Sequence, residues 1–406
     1  MQILRRLLLE ERIAMGYDLK VFTENVEPEA VNQIYELIRT DPFENARVRI
    51  MPDVHYGKGC VVGFTSTTKD KIIPNVIGVD IGCGMLTVKL GKQKLDLATI
   101  DAHIRSHIPA GSKVHKAYTE DNWVRKLRCF DKLDDLDKLY RSMGTLGGGN
   151  HFIEIDVDDE GEQYLVIHTG SRNLGQQVAT HYQKLAIEMC KNAAQQQKQD
   201  AHEKLRNAGR ISDIPDALQK ISNQYANLTK IPAQQCHLWG AAKDDYLHDV
   251  GVCKEFAQKN RQYIADSILS FLHISRAESF DTIHNYIDDA GIIRKGAIAA
   301  HKGQKVIIPM NMRDGCLIAI GKGNPEWNCS APHGAGRLFS RQTVQEHFSV
   351  EKFLREMRGI YSTSISSATL DESPMAYKPM EEIVSLISPT VDIVSIMKPI
   401  YNFKAG

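Results

Sequence analysis

The sequence predicts an α+β protein, a single compact domain of mixed and antiparallel sheet surrounded by helices. Two observations predict it. Three stretches carry apolar residues at helical spacing while six short runs are apolar and β-branched, and the two kinds do not alternate in the steady order that a doubly wound parallel sheet requires.

In chain order, 60–67 (CVVGFTST) and 85–90 (MLTVKL) read as strands bounded by Gly, Pro and Asp. Leu97, Ile100, Ile104 and Ile108 mark an amphipathic helix. The runs 152–157 (FIEIDV) and 164–168 (YLVIH) are strands, and Val178, Tyr182, Leu185 and Met189 mark the next helix. Residues 191–235 are rich in Gln, Lys and Asn and punctuated by Pro215 and Pro232; they are expected to form an exposed helical insertion. A third helix carries Tyr246, Val250, Cys253, Ala257, Ile264, Ile268 and Phe271. The runs 305–308 (KVII) and 316–320 (CLIAI) supply the last strands of this reading. One domain is expected over 15–406, with residues 1–14 as an unassigned extension, because chemically related motifs lie on both sides of the polar insertion.

With 42% hydrophobic and 25% charged residues, the 406-residue chain has a soluble globular composition and can bury roughly three quarters of its unfolded surface. Its 50 Lys+Arg balance 50 Asp+Glu, which excludes a polybasic tail protein, so any basic surface for nucleic acid must be local. Eight scattered cysteines without a Cys-x-x-Cys pair exclude a zinc ribbon and a thioredoxin-type motif and suit a reducing compartment. The opening MQILRRLLLEER is too polar for a signal peptide or a membrane span, so a cytoplasmic protein is expected.

Polar residues in glycine-rich surroundings recur at PDVHYGKG (52–59), GVDIGCGM (78–85), GTLGGGNHFIE (144–154), VIHTGSR (166–172) and SAPHGAGR (330–337). Such clusters bring backbone close to a ligand. The Asp80 and Cys83 spacing lets one tight turn aim a carboxylate and a thiolate at one ion. Taken singly, each residue has a plainer reading: Cys83 as a small buried hydrophobe, and His151, His168 and His284 as hydrogen-bonded boundary residues. His103 and His107 are four apart, but Ile104 and Arg105 exclude His-Glu-x-x-His, and the pair reads as a solvated helix face. GTLGGGN lacks the Gly-Lys-Ser/Thr of a Walker A loop, and HTGSRNLG lacks the Gly-x-Ser-x-Gly elbow.

Together GVDIGCGM, GNHFIE, HTGSR, HNY, SAPHGAGR and PMAYK (374–378), in this order, resemble the tRNA-splicing ligase RtcB family from Met51 to Lys404. The resemblance implies a GTP- and manganese-dependent ligase that joins RNA 3′-phosphate or 2′,3′-cyclic phosphate ends to 5′-hydroxyl ends. It implies two manganese ions held by Asp80, Cys83, His151, His168 and His284, with Cys83 bridging, although softness alone would suggest zinc for such donors. His333 would be the nucleophile, Asp53 would assist around the leaving pyrophosphate, and Asn150 would orient the triphosphate. Glu154 and Lys404 would read guanine, with Tyr377, Gly334, Ala335 and Gly336 lining the nucleotide pocket. Arg172, Lys295, Arg337 and Arg341 would hold RNA phosphates, against a plainer reading of Lys295 and Arg341 as scattered surface charge. An archease-like activator is an implied partner, and no membrane is. The chain departs from the family at PMNMRDG (309–315) and in the Ala405 and Gly406 that follow Lys404. A metal-dependent phosphohydrolase using the same cluster, and an RNA-binding protein that has lost catalysis, are the rival readings.

Overall fold

The computed structural model describes residues 17–118, 123–225, 230–275, 278–341 and 343–405; the extension at 1–14 lies outside them. In chain order the elements are β1 (Leu19–Val21), α1 (Pro28–Ile38), β2 (Val48–His55), β3 (Val62–Thr67), β4 (Lys71–Ile72), β5 (Gly84–Gly91), α2 (Leu97–His107) and α3 (Leu136–Tyr140). Then come β6 (Phe152–Val157), β7 (Gln163–Thr169), α4 (Arg172–Asn207), α5 (Ile214–Tyr225), β8 (Leu238–Trp239) and α6 (Gly240–Leu272). The rest are β9 (Ser279–Ile283), β10 (Asn285–Ile287), β11 (Ile292–Lys295), β12 (Ala297–Ala299), β13 (Lys305–Asn311), β14 (Gly315–Gly321), β15 (Ser330–Pro332), α7 (Val344–His347), α8 (Val350–Glu356), α9 (Met380–Ile387) and β16 (Val391–Lys404).

Two sheets carry the fold. One runs β1-β2-β3-β11-β10, the other β13-β14-β16-β6-β7-β5-β9, and every pairing in them is antiparallel except β1 with β2. This is the expected α+β class. Strand alternation divides the seven-stranded sheet. Ile153 and Ile155 of β6, with Leu165 and Ile167 of β7, pack under Ile100 and Ile104 of α2 and Ile264 and Ile268 of α6. Phe152, Glu154 and Asp156 alternate with those isoleucines and so lie on the opposite face, which leaves two buried carboxylates there. α2 begins where the Asp96 side chain accepts from the amides of Ala98 and Thr99.

The polar tract is helical, and its first part continues the preceding helix. α4 runs without a break from Arg172 to Asn207, so the predicted insertion is in part the far end of the helix that buries Val178, Tyr182, Ala186 and Cys190. Its Ala, Gln and Lys residues favour helix and contain no breaker before Gly209. β2 and β16 lack a clear strand signal in the sequence. Pro52 lies inside the almost wholly buried β2, and Pro399 interrupts β16 where its register with β6 shifts. No helix among the described residues is long and apolar enough to cross a membrane.

Candidate active site

Antiparallel register assembles the first cluster. Gly84 opens β5 opposite Thr169 of β7 and Ile283 of β9, which puts Cys83 beside His168 and His284; the His284 amide donates to the Cys83 carbonyl at 2.9 Å. Gly82 makes the preceding turn possible. Its φ is +74°, and a Cβ there would lie 2.8 Å from the backbone of Lys254 on α6. His151 enters from the loop before β6, with Phe152 paired to His168.

Two triads result, Cys83 with His168 and His284, and Asp80 with Cys83 and His151; within each, the possible ligand atoms lie within 4.8 Å of one another. Cys83 Sγ is 3.4 Å from His151 Nε2 and 3.3 Å from His168 Nε2, which is itself 3.3 Å from His284 Nε2. The Nδ1–H groups of His151 and His168 donate to the carbonyls of Leu146 (2.9 Å) and Asn150 (3.2 Å), which turns both Nε2 atoms inward. His151 Nε2 then faces Asp80 Oδ2 at 2.9 Å, while Asp80 Oδ1 is buried without a partner. Acceptors gathered in this way suit a pair of cations, and the thiolate common to both triads suits a bridge. Burial, then the neighbouring imidazoles, pulls His168 and His284 well below the usual histidine range. Burial, then the Asp80 carboxylate, pushes the Cys83 thiol up. Against burial, the adjacent His151 holds Asp80 down at about 2. Burial thus favours the ligand forms of His168 and His284, and Asp80 is held as a carboxylate, whereas the Cys83 thiol keeps a proton that a metal must displace.

His333 stands immediately after β15, its ring centroid 4.9 Å from that of His284. Asp53, on β2, is fully buried, and its Oδ2 accepts from the His333 amide at 3.0 Å and from Nδ1–H at 2.6 Å. Asp53 therefore reaches the chemistry through His333, and it is not among the residues that line the adjoining cavity. That cavity, of about 490 Å³, is bounded by Cys83, His168 and His284 on one side and by the 333–337 loop on another. Asn150, Glu154, Tyr377 and Lys404 also line it, as do Gly334, Ala335 and Gly336. The divergent 309–315 segment, which spans the end of β13 and the turn into β14, contributes Pro309 to Met312 to the wall.

The proposed guanine readers come with partners that the sequence does not disclose. Glu154 accepts from Asn402 Nδ2, and the Cys316 thiol lies 3.7 Å from its Oε1. Lys404 Nζ donates to Glu372 Oε2 at 2.8 Å, and Tyr377 donates to the same oxygen at 2.6 Å. Arg337 and Arg341 pair with Glu372 as well. Against its burial, Lys404, Arg341 and Arg337 hold this carboxyl far below the usual range. Glu372 carries no sequence signal, since SATLDESP has no glycine and no alternation. His55 sits within the motif PDVHYGKG, which by itself suggests no role for it; it lines the cavity, bonded through Nδ1 to the Asp53 carbonyl at 3.0 Å.

The four expected phosphate-binding cations separate. Arg337 and Arg341 line the cavity with their charge shared with Glu372. Lys295 is a buried wall residue whose ammonium donates to the carbonyls of Lys58 (2.7 Å) and Asn75 (3.4 Å). Arg172 lies elsewhere, in a second pocket on the far side of His151. His103 and His107 stack on each other on α2, and His103 stacks on Phe271 of α6, apart from these clusters.

Comparison with known proteins agrees with this constellation. The sequence profile of tRNA-splicing ligase RtcB matches residues 35–405. The chain is 29% identical to the RNA-splicing ligase RtcB of Escherichia coli K12, over 95% of this chain and 97% of that protein. It is 28% identical to the tRNA-splicing ligase RtcB of Nanoarchaeum equitans, over 82% and 83% of the two chains, and 26% identical to that of Aeropyrum pernix, over 86% of each. With its ligand triads, its buried Asp53–His333 pair and a profile match over most of its length, the chain belongs to the RtcB ligase family.

Proposed function

We propose that the protein is a GTP- and manganese-dependent RNA ligase that joins 3′-phosphate or 2′,3′-cyclic phosphate ends to 5′-hydroxyl ends through a guanylated His333. The observation that carries this reading is the Asp53–His333 hydrogen bond, which commits Nδ1–H to a buried carboxylate and leaves Nε2 as the nucleophilic nitrogen. Nε2 attacks the α-phosphorus of GTP; a P–N bond forms, the P–O bond to pyrophosphate breaks, and Asp53 stabilises the cationic ring that results. An oxygen of the RNA 3′-phosphate then takes the guanylate, breaking P–N. The 5′-hydroxyl of the second strand attacks that 3′-phosphorus, loses its proton and expels GMP. Cyclic ends are first opened by water. Two manganese ions on the Cys83-centred triads would neutralise phosphate charge in these steps. Glu154 would accept from the guanine N1–H and amino group, and Glu372 would hold Lys404 and Tyr377 in place around the base. Buried free thiols favour a reducing, cytoplasmic setting.

Labelling tests the proposal. Protein mixed with α-labelled GTP and manganese should keep its label through denaturation in base and lose it in acid, as a phosphorus–nitrogen bond does. His333→Ala should take no label yet still join RNA whose 3′ end already carries guanylate. A phosphohydrolase built on the same triads forms no covalent guanylate, so wild-type protein without label, or normal labelling of His333→Ala, overturns this mechanism.

A further inference from the structure

A second pocket of about 370 Å³ opens on the opposite side of Asp80 and His151, and the two cavities meet at Val79 and Asp80. Its wall is built for anions. Arg172 lies over Gly147, where a Cβ would fall 2.0 Å from the guanidinium carbon, so the glycine leaves the guanidinium its room. The guanidinium is held by Thr145 Oγ1 (3.3 Å) and the Gly111 carbonyl (3.4 Å), without a carboxylate partner among the described residues. Lys113, exposed, and Lys138 of α3, half-buried, face the same space, and neither ammonium has an ion pair among the described residues. Arg172, Asn173 and Gln176 belong to the start of the 36-residue α4, whose N-cap residue Ser171 makes no side-chain cap bond, so its amides and dipole add positive potential. Asp80, itself a metal-ligand candidate, is the one carboxylate in the lining.

We propose that this pocket is the subsite for the RNA strand that ends in the 3′-phosphate. The terminal phosphate dianion would sit at Arg172, beside the Asp80–Cys83–His151 triad, and phosphates upstream of it would pass Lys113 and Lys138. The 5′-hydroxyl end has no terminal charge to match a guanidinium next to a metal site, which assigns the pocket to the other strand. A strand held here meets the His333 cavity across Asp80, the place where it must collect guanylate. The inference rests on the ligase reading above.

The test is the double variant Lys113→Ala/Lys138→Ala, with the charge reversal Lys113→Glu as a second variant. Binding of short single-stranded RNA carrying a 3′-phosphate is measured by fluorescence anisotropy with manganese and without GTP. The double variant should bind about tenfold more weakly, and its plot of log affinity against log salt should be shallower by about 1.4, which is about 0.7 for each lysine removed. RNA with only a 5′-hydroxyl end should bind all three proteins alike. Unchanged affinity and slope for the 3′-phosphate RNA, or a loss confined to the 5′-hydroxyl RNA, would overturn the assignment. Label uptake from GTP, read on the same samples, separates the two ideas: no label in wild type removes the ligase mechanism, while a variant that labels normally and binds RNA normally removes the pocket alone.

Discussion

Glu154 shows how a neighbour sets what a side chain can do. Burial, then the Asp156 carboxylate on the same strand face, pushes its acid well above the usual range. Asp156 has both oxygens buried without a partner, and Cys316 completes the group. Burial and this neighbouring charge favour the protonated acid, whereas the proposed contact with guanine, which presents two donors, needs the anion. On that reading binding releases a proton, so the KM for GTP should fall as pH rises. Asp156→Asn, lacking the like charge, should level off at lower pH, and Glu154→Ala should lose the preference for GTP over ATP, which such donor pairing can extend over orders of magnitude. A flat pH profile in wild type, or retained selectivity in Glu154→Ala, would remove Glu154 from guanine recognition. FIEIDV reads as a strand, and its motif points to Glu154; Asp156 escapes notice because charged residues alternating with isoleucine look solvent-facing until the second layer covers them.

α6 is legible as a helix from its apolar spacing, but its part in the site is not. Asn260 and Arg261 are the kind of residues expected in water, yet both are fully buried. Asn260 bonds the amide and carbonyl of Thr145 (3.0 Å each) and the Gly170 carbonyl (3.2 Å). Arg261 forks onto Asp281 at 2.6 and 2.7 Å and reaches the carbonyls of Gly82 (3.0 Å) and Thr169 (2.8 Å). One helix thus ties together the turn that carries Cys83, the segment before His151 and the end of β7 that carries His168. Arg261→Met should cost about 3 kcal/mol in urea denaturation, because Asp281 and two carbonyls lose their partner, and should lower metal content even where the protein stays folded. Wild-type metal content in that variant would show that the ligand loops hold themselves. The glycine-rich loops are conspicuous in the sequence because bare backbone recurs beside polar residues; their fastening is hidden, because nothing local distinguishes a buried arginine from a surface one.

At the scale of the whole molecule, balanced charge hides an uneven distribution: near the site, Arg337, Arg341 and Lys404 all pair with Glu372, whereas Lys113 and Lys138 have no ion pair among the described residues. The candidate metal ligands come from the turn before β5, the loop before β6, β7 and the link between β9 and β10, so an ion held by all of them should stabilise the entire fold. An ion at a hundred times its Kd adds about 2.7 kcal/mol, and chelation should remove that increment in thermal or urea unfolding. Cys83→Ala, without the donor common to both triads, should fold, bind little manganese by elemental analysis and show the same melting temperature with and without chelator. An undiminished manganese shift in that variant would exclude the bridge. β16 carries a different consequence. It lies between β14 and β6, and its last residues supply Asn402 and Lys404 to the cavity beside His333, yet it is made after every other strand of its sheet. While the ribosome is still translating the chain, that sheet exists as two halves, β13–β14 and β6–β7–β5–β9, with open edges facing one another across a missing strand. Closure waits for β16 to emerge, so the nascent protein can gather its histidines before Asn402 and Lys404 complete the cavity wall.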